Sequence, residues 1–325
     1  MAQAVAEQTE WVEVPFEVQK PQDGWRVDAY LAHRLHRYSR SAVQKLIENS
    51  QVSIAGRVVK PSTRVADGQT VVVKYPKREE PPPTVERLSV VYEDDHLLAV
   101  DKPGQVLSHP TDKIVENAVT TILKKQLPGL TLHLLHRLDR ETSGVLLLAK
   151  DPRAARLMTE AFEGREVQKT YWALAAGRVE WARKTVDAPM ERAEGHEIKV
   201  LQKAGTGLPA VTEFTRLAAH DAASLVEARP KTGRLHQIRV HLAHAGHPIL
   251  GDKLYTGGGE YYMKAVRKEL TDGDLGALGA PRQMLHARRL ALTHPATKRS
   301  LVIEAPLPAD FRACMDAAGL EAPRA

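Results

Sequence analysis

The stretch His136-Arg-Leu-Asp-Arg-Glu-Thr-Ser-Gly144 sets an acid among bases immediately before the apolar run Val145–Ala149. Asp139 has Arg137 and Arg140 close in sequence, and their charge favours an ionised carboxylate. An ionised aspartate can act as a base, a nucleophile or a metal ligand. The same residues can also form a turn in which Asp139 and Ser143 satisfy backbone donors. A second polar cluster, TGRLHQIRVHLAHAGHP, runs from Thr232 to Pro248. His236 and Arg239 are three apart and share a face if the segment is helical. The Arg239 guanidinium stays charged and suits a carboxylate partner, which it can bind with two hydrogen bonds. His236, His241, His244 and His247, with Asp252 beyond them, raise a metal reading. Steps of five, three and three do not bring four ligands to one side of a short helix, and no cysteine lies nearby, so no metal site is expected.

Strands and helices must hold these clusters. The sequence predicts strands over 90–93 and 96–100, joined at Asp94-Asp95, with Asp101 to Gly104 breaking the second. It predicts a helix over 117–126 closed by Pro128-Gly129, and a loop then a buried strand over 133–150. Asp151-Pro152 reads as a helix start, an N-cap followed by proline, for a helix to about Gly164. A strand follows over 169–176. Residues 235–245 read as a helix stopped by Gly246 and Pro248. Strands over 285–292 and 300–305 close the chain. This irregular alternation predicts an α+β fold with a mixed, mostly antiparallel central sheet. Glycine-rich nucleotide fingerprints are absent. Thr256 to Glu260 (TGGGE) reads as a surface loop, and the glycine- and acid-rich stretch 255–281 as an insertion or an RNA-contacting loop.

Upstream the character changes. The chain has 325 residues and a net charge of +6. Residues 1–22 carry four glutamates and one lysine, an acidic tail in this reading. Residues 23–77 hold ten basic side chains against four acidic ones, leaving +3 for the remainder. A short helix over 28–35, a second from Ser39 or Ser41 to Glu48, a hairpin turning at Ala55-Gly56 and a strand over 70–75 outline a small α/β module. Arg34, Arg37, Arg40 and Lys45 lie on the polar face of its helices and make a candidate phosphate-tracking patch. A solvated helix face is the plainer reading of the same residues. The prolines at 81–83 mark a linker over 78–87. The expected divisions are therefore a tail over 1–22, a basic module over 23–77, the linker, a body over 88–312 and a tail over 313–325. Hydrophobic residues make up 43% and charged residues 26%, ordinary for a globular protein and unlike a disordered one. A single cysteine, Cys314, excludes an internal disulfide framework and a multi-cysteine zinc site. No apolar run approaches a membrane span and the start lacks a signal-peptide core, so a cytoplasmic protein without a membrane partner is expected.

Taken in order, VVYEDDHLLAVDKPGQVLSHP, LHRLDRETSGVLLLAKD, KTYWALAAG and RPKTGRLHQIRVHLAHAGHPILGD resemble the RluA-type pseudouridine synthases over roughly residues 88–311. The likeness is closest to the branch that modifies large-subunit ribosomal RNA. SRSAVQKLIENSQVSIAGRVVKPSTRVADGQTVVV resembles the S-four-type RNA-binding domain. The resemblance implies a pseudouridine synthase fold and isomerisation of uridine in structured RNA, with ribosomal RNA as partner and transfer RNA as the alternative substrate. It implies Asp139 as the catalytic residue and Arg137 as the side chain that displaces the target base. It also implies Tyr171 against the uracil ring and Arg239 paired with the catalytic carboxylate. The reaction conserves atoms and oxidation state, so no cofactor is expected, and a monomer is expected. Leu235 departs from the family pattern, which usually has a small hydroxyl residue there. Two other readings compete: a non-catalytic RNA-binding ribosome-assembly factor, and a metal-dependent hydrolase using the histidines with Asp139 or Asp252.

Overall fold

The computed structural model describes residues 11–35, 38–76, 80, 82–111 and 114–322, and all elements and counts below are of these. The chain forms two compact units, 1–79 and 80–325.

The small unit contains β1 (Trp11–Glu17), α1 (Val27–Arg34), α2 (Arg40–Glu48), β2 (Val52–Ile54), β3 (Arg57–Val58) and β4 (Thr70–Pro76). Its sheet runs β1-β4-β2-β3 and every pair is antiparallel. Apolar residues on both helices face it: Tyr30, Leu31, Val43 and Ile47 pack with Val52, Val71 and Val73. Ser39 caps α2 by accepting from the Ala42 amide at 3.2 Å. The expected acidic tail over 1–22 needs correction. Trp11 to Glu17 pairs with β4 along its whole length, and Val18 is buried in the core. Four glutamates do not prevent this, because Phe16 alternates toward the core while Glu13 and Glu17 stay exposed.

The large unit is built on a sheet of ten strands among the described residues. It contains β5 (Ser89–Glu93), β6 (Leu97–Lys102), β7 (His133–Leu134), β8 (Ser143–Ala149), β9 (Gln168–Ala176) and β10 (Arg183–Asp187). A separate pair, β11 (Met190–Arg192) and β12 (Gln202–Ala204), precedes β13 (Val211–Ala219), β14 (Ala223–Pro230), β15 (Leu285–Thr293) and β16 (Ser300–Glu304). The main order is β10-β13-β14-β9-β15-β8-β6-β5, with β16 on β15 and β7 on β8. All pairs are antiparallel except β15 with β8. The fold is therefore α+β with a mostly antiparallel sheet.

Strand β8 shows how the sequence dictates this centre. Every residue of it is buried, which explains an unbroken apolar run in place of alternation. Val145, Leu147 and Ala149 pack on Ala154 and Met158 of α4 (Pro152–Glu163). Leu146 and Leu148 point the other way, against Val119, Ile122 and Leu123 of α3 (Val119–Gln126). Asp151 caps α4 through the Ala154 amide at 2.8 Å, with Pro152 opening the helix. Gly144 sits at φ 110°, where a Cβ would lie 2.2 Å from the Ala287 carbonyl oxygen; only glycine lets β8 meet β15 here.

Residues 177–231, where no element was expected, hold β10 to β14; a charged residue interrupts each of these strands, even β14, which is mostly buried. The stretch 255–281 is largely helical, with α6 (Glu260–Arg267) and α7 (Asp272–Leu278) after a short turn over 257–259. Between them Lys264 bonds Asp274 at 2.9 Å, and Thr271 and Asp274 form a capping box. Residues 313–322 are not a loose tail: Phe311 and Met315 of α8 (Ala309–Ala317), with Leu320, lie in the core. Nor is 80–87 a bare linker. The Glu80 carboxylate accepts from the Val115, Glu116 and Asn117 amides at 2.7–3.1 Å, and Thr84 bonds Asn117.

Candidate active site

The HRLD segment is a loop between β7 and β8, fixed from several sides. The His136 Nε2 accepts from the Leu147 amide at 3.0 Å. Ser108 Oγ donates to the Leu138 carbonyl and accepts from its amide, both at 2.9 Å. Lys102, fully buried, directs its ammonium to the carbonyls of Pro103, Val106 and Arg140 at 2.7–3.1 Å. Arg282 donates to the Glu141 carbonyl at 2.8 Å and is itself paired with Asp310. Gln283 donates to the Thr142 hydroxyl at 2.7 Å. The backbone around Asp139 is thus held before any ligand arrives.

The second cluster begins after β14. Gln237 satisfies all its hydrogen-bonding groups. Its carbonyl accepts from the Thr232 hydroxyl and the Arg234 amide, and its amide donates to the Val211 carbonyl and Thr212 hydroxyl. This pins the 232–237 turn to β13. The expected helix from 235 starts later, as α5 (Gln237–His244). His236 stands ahead of it in the left-handed region at φ 58°, a conformation that costs a non-glycine residue about 1–2 kcal/mol and is often found at functional sites.

These turns meet across one hundred residues of sequence. Arg239 donates Nη1 to Asp139 Oδ2 at 2.8 Å. It also donates Nε and Nη2 to the two carboxylate oxygens of Asp252, at 2.7 and 2.9 Å. Asp252 is fully buried, and its Oδ1 further accepts from the Leu254 and Tyr255 amides at 3.0 and 3.2 Å. It is therefore the anchor of the arginine rather than a metal ligand. The Tyr255 ring lies 5.0 Å from the guanidinium.

The electrostatics follow from this packing. Burial pushes the Asp139 carboxyl up, but the adjacent Arg239 charge and hydrogen bond outweigh it and leave it below the usual carboxylate range. A protonated His236 would help, but burial and then the Arg239 charge push that imidazole down to about 4, so it is neutral at neutral pH. Burial opposes the charge on Arg239, yet Asp252 and then Asp139 hold its guanidinium firmly protonated. Burial, then the Asp139 charge, push the Tyr171 phenol up, so it stays neutral. The arrangement is an ionised carboxylate, 27% exposed, at the wall of a cleft of about 820 Å³. That volume suits a nucleotide-sized ligand.

Of the residues singled out in the sequence, Asp139, Arg137, Tyr171 and Arg239 all line this cleft. Arg137 is exposed at its edge and also borders a shallow hollow beside it. Tyr171, on β9, packs partly against two of the core clusters, one around Leu225 and one around Leu146. Leu235 lies on the rim with 49% exposure. In the small unit Arg34 and Lys45 are exposed. Arg40 is half-exposed but paired at 3.2 Å with buried Asp28, which Arg26 and Gln44 also bond. Arg37 lies outside the described residues. Sequence reasoning missed the roles of Asp252 and Tyr255; the only signal was an acid thirteen residues after Arg239, read as a possible metal ligand. The other histidines of that cluster do not join the site: His241 is buried against Thr212 and the Ala188 carbonyl.

A family model described as RNA pseudouridylate synthase matches residues 96–244, and the S4 domain model matches residues 25–71. The chain is 34% identical over 298 residues to ribosomal large subunit pseudouridine synthase C of Vibrio cholerae, covering 88% of this chain and 90% of that protein. It is 32% identical over 305 residues to ribosomal large subunit pseudouridine synthase D of Pseudomonas aeruginosa, covering 92% of each. Among solved structures, the human RNA pseudouridylate synthase domain containing 4 superposes with a TM-score of 0.58 at 31% identity, over 73% of this chain and 95% of that one.

Proposed function

Because this chain belongs to the RNA pseudouridylate synthase family, and so is an isomerase acting on RNA, we propose that it converts uridines of large-subunit ribosomal RNA with Asp139 as the catalytic carboxylate. The observation that carries the site assignment is the Arg239 fork, which joins Asp139 to buried Asp252 at the cleft wall. The reaction breaks the N1–C1′ bond, forms a C5–C1′ bond and moves the C5 proton away, with N1 gaining one. An ionised carboxylate serves this by attacking the anomeric carbon, by stabilising positive charge there, or by taking a sugar proton. Each requires Asp139 to be unprotonated, which Arg239 favours. Arg137, exposed at the cleft edge, fills the space a displaced base leaves, and Tyr171 offers its ring to the uracil. With its proton held tightly, Tyr171 acts as a neutral ring and donor rather than as a phenolate.

The test is incubation of the purified protein with large-subunit ribosomal RNA free of pseudouridine, followed by mapping. Pseudouridine at discrete positions in that RNA is expected. Modification confined to transfer RNA would reassign the substrate, and none in either would overturn the activity.

The small unit supplies the RNA grip in this reading, through its exposed Arg34 and Lys45. Replacing both by alanine is expected to weaken RNA binding. The slope of log affinity against log salt should flatten by about 1.5, since each lost phosphate contact removes about 0.7–0.9. An unchanged slope would remove these residues from the RNA interface.

A further inference from the structure

His236 is held in a strained backbone conformation beside the carboxylate, and the chemistry described above leaves it without a task. Its Nδ1 lies 2.8 Å from the Tyr255 hydroxyl, whose oxygen also accepts from the Gln202 amide at 3.2 Å. The amide takes the in-plane lone pair of the phenol oxygen, so the arrangement that leaves no donor unpaired has the phenol donate its proton to Nδ1. We assign the imidazole proton to Nε2 on this ground. Nε2 is 3.9 Å from Asp139 Oδ2, too far for a hydrogen bond between them. A donor and an acceptor therefore stand side by side on the cleft wall, separated by a gap that one oxygen can bridge.

A uracil carbonyl cannot fill that gap, because it only accepts and would face a carboxylate. A hydroxyl can, accepting from Nε2–H and donating to Asp139. Inside an RNA chain the 3′ and 5′ oxygens are esterified, so the only ribose hydroxyl is at 2′. Resting on the reading of the cleft as a uridine site, we propose that His236, oriented by Tyr255, binds the 2′-hydroxyl of the target nucleotide and holds it against Asp139. The neutral state of the imidazole fits this task, since an imidazolium would itself pair with the carboxylate. The charged and titratable groups around the ring are Arg239, Asp139, Asp252 and Tyr255.

The test is a cycle between protein and RNA, using the full chain and a fragment containing the mapped uridine, with uridine or 2′-deoxyuridine at that position. On the ribonucleotide, His236→Ala is expected to slow single-turnover isomerisation about 30-fold and Tyr255→Phe about fivefold. His236→Asn, which tolerates the left-handed backbone and keeps an N–H donor, should recover part of the loss. On the 2′-deoxy RNA the three variants should match the wild-type protein. If that RNA does not turn over, its inhibition constant is used: removing the hydroxyl should weaken binding to the wild-type protein but not to His236→Ala. Equal losses on both RNAs would mean that His236 only shapes the loop, and wild-type rates in the variants would exclude any role; either overturns the inference. Failure of the wild-type protein to isomerise the ribonucleotide RNA would instead overturn the underlying activity.

Discussion

Asp139→Asn is expected to lower isomerisation by about 10⁴-fold or more, equivalent to about 5.4 kcal/mol of barrier. The amide keeps the shape and can accept one hydrogen bond from Arg239, but it cannot attack, hold positive charge or take a proton. The fold should survive, because the buried guanidinium retains both bonds to Asp252. RNA affinity should stay within about threefold, since phosphate contacts dominate it. Release of tritium from C5-labelled uridine in RNA measures the first quantity, and filter binding the second. A variant working at a rate close to that of the unaltered protein would remove Asp139 from the chemistry. For the unaltered protein, activity should persist as pH falls until the depressed carboxyl of Asp139 takes up a proton, below the usual carboxylate range.

The second large effect is expected at a residue that need not touch RNA. Asp252 accepts two bonds from Arg239 and two from the backbone at Leu254 and Tyr255. In Asp252→Asn one oxygen can keep three of these, but the amide nitrogen then faces Arg239 Nε, donor against donor. Removing one member of a buried ion pair costs about 3–5 kcal/mol, and Asp139 still balances the arginine here, so a loss of about 3 kcal/mol in unfolding free energy is expected. Activity should fall about 100-fold, chiefly in kcat, because Arg239 no longer fixes Asp139. The acid limb of the rate profile should also move to higher pH, as burial of Asp139 is less well opposed. Denaturant titration and a pH–rate profile check both parts. An unshifted acid limb with full activity would show that Arg239 holds its place without Asp252.

The strongly apolar elements were legible in the sequence. Strand β8 declares itself by its unbroken apolar run, and α4 by an N-cap followed by proline. Motif resemblance implied a pairing of Arg239 with the Asp139 carboxylate, and the two side chains bond at 2.8 Å. What stayed hidden depends on distant packing. Nothing local marks Asp252 as the partner of Arg239; only the turn through Gly251, where a Cβ would lie 1.8 Å from the Arg282 carbonyl oxygen, brings it there. His236 reads as the first turn of a helix, and only the fully bonded side chain of Gln237 explains why the helix starts two residues later than expected. Strand β1 was obscured by counting charge where alternation decides the structure.

The position of β15 has a consequence for the order in which this protein becomes competent during synthesis. The small unit is complete once β4 has been made, and domains generally fold as units from the N-terminus. The cleft wall cannot close so early. Asp139 follows β7 and Tyr171 lies on β9, and the strand that joins β8 to β9 is β15, whose residues 285–293 come near the end of the chain. A ribosome making this protein therefore exposes a finished small unit well over a hundred residues before the isomerase exists. Any RNA the nascent chain captures is held by a protein that cannot yet modify it.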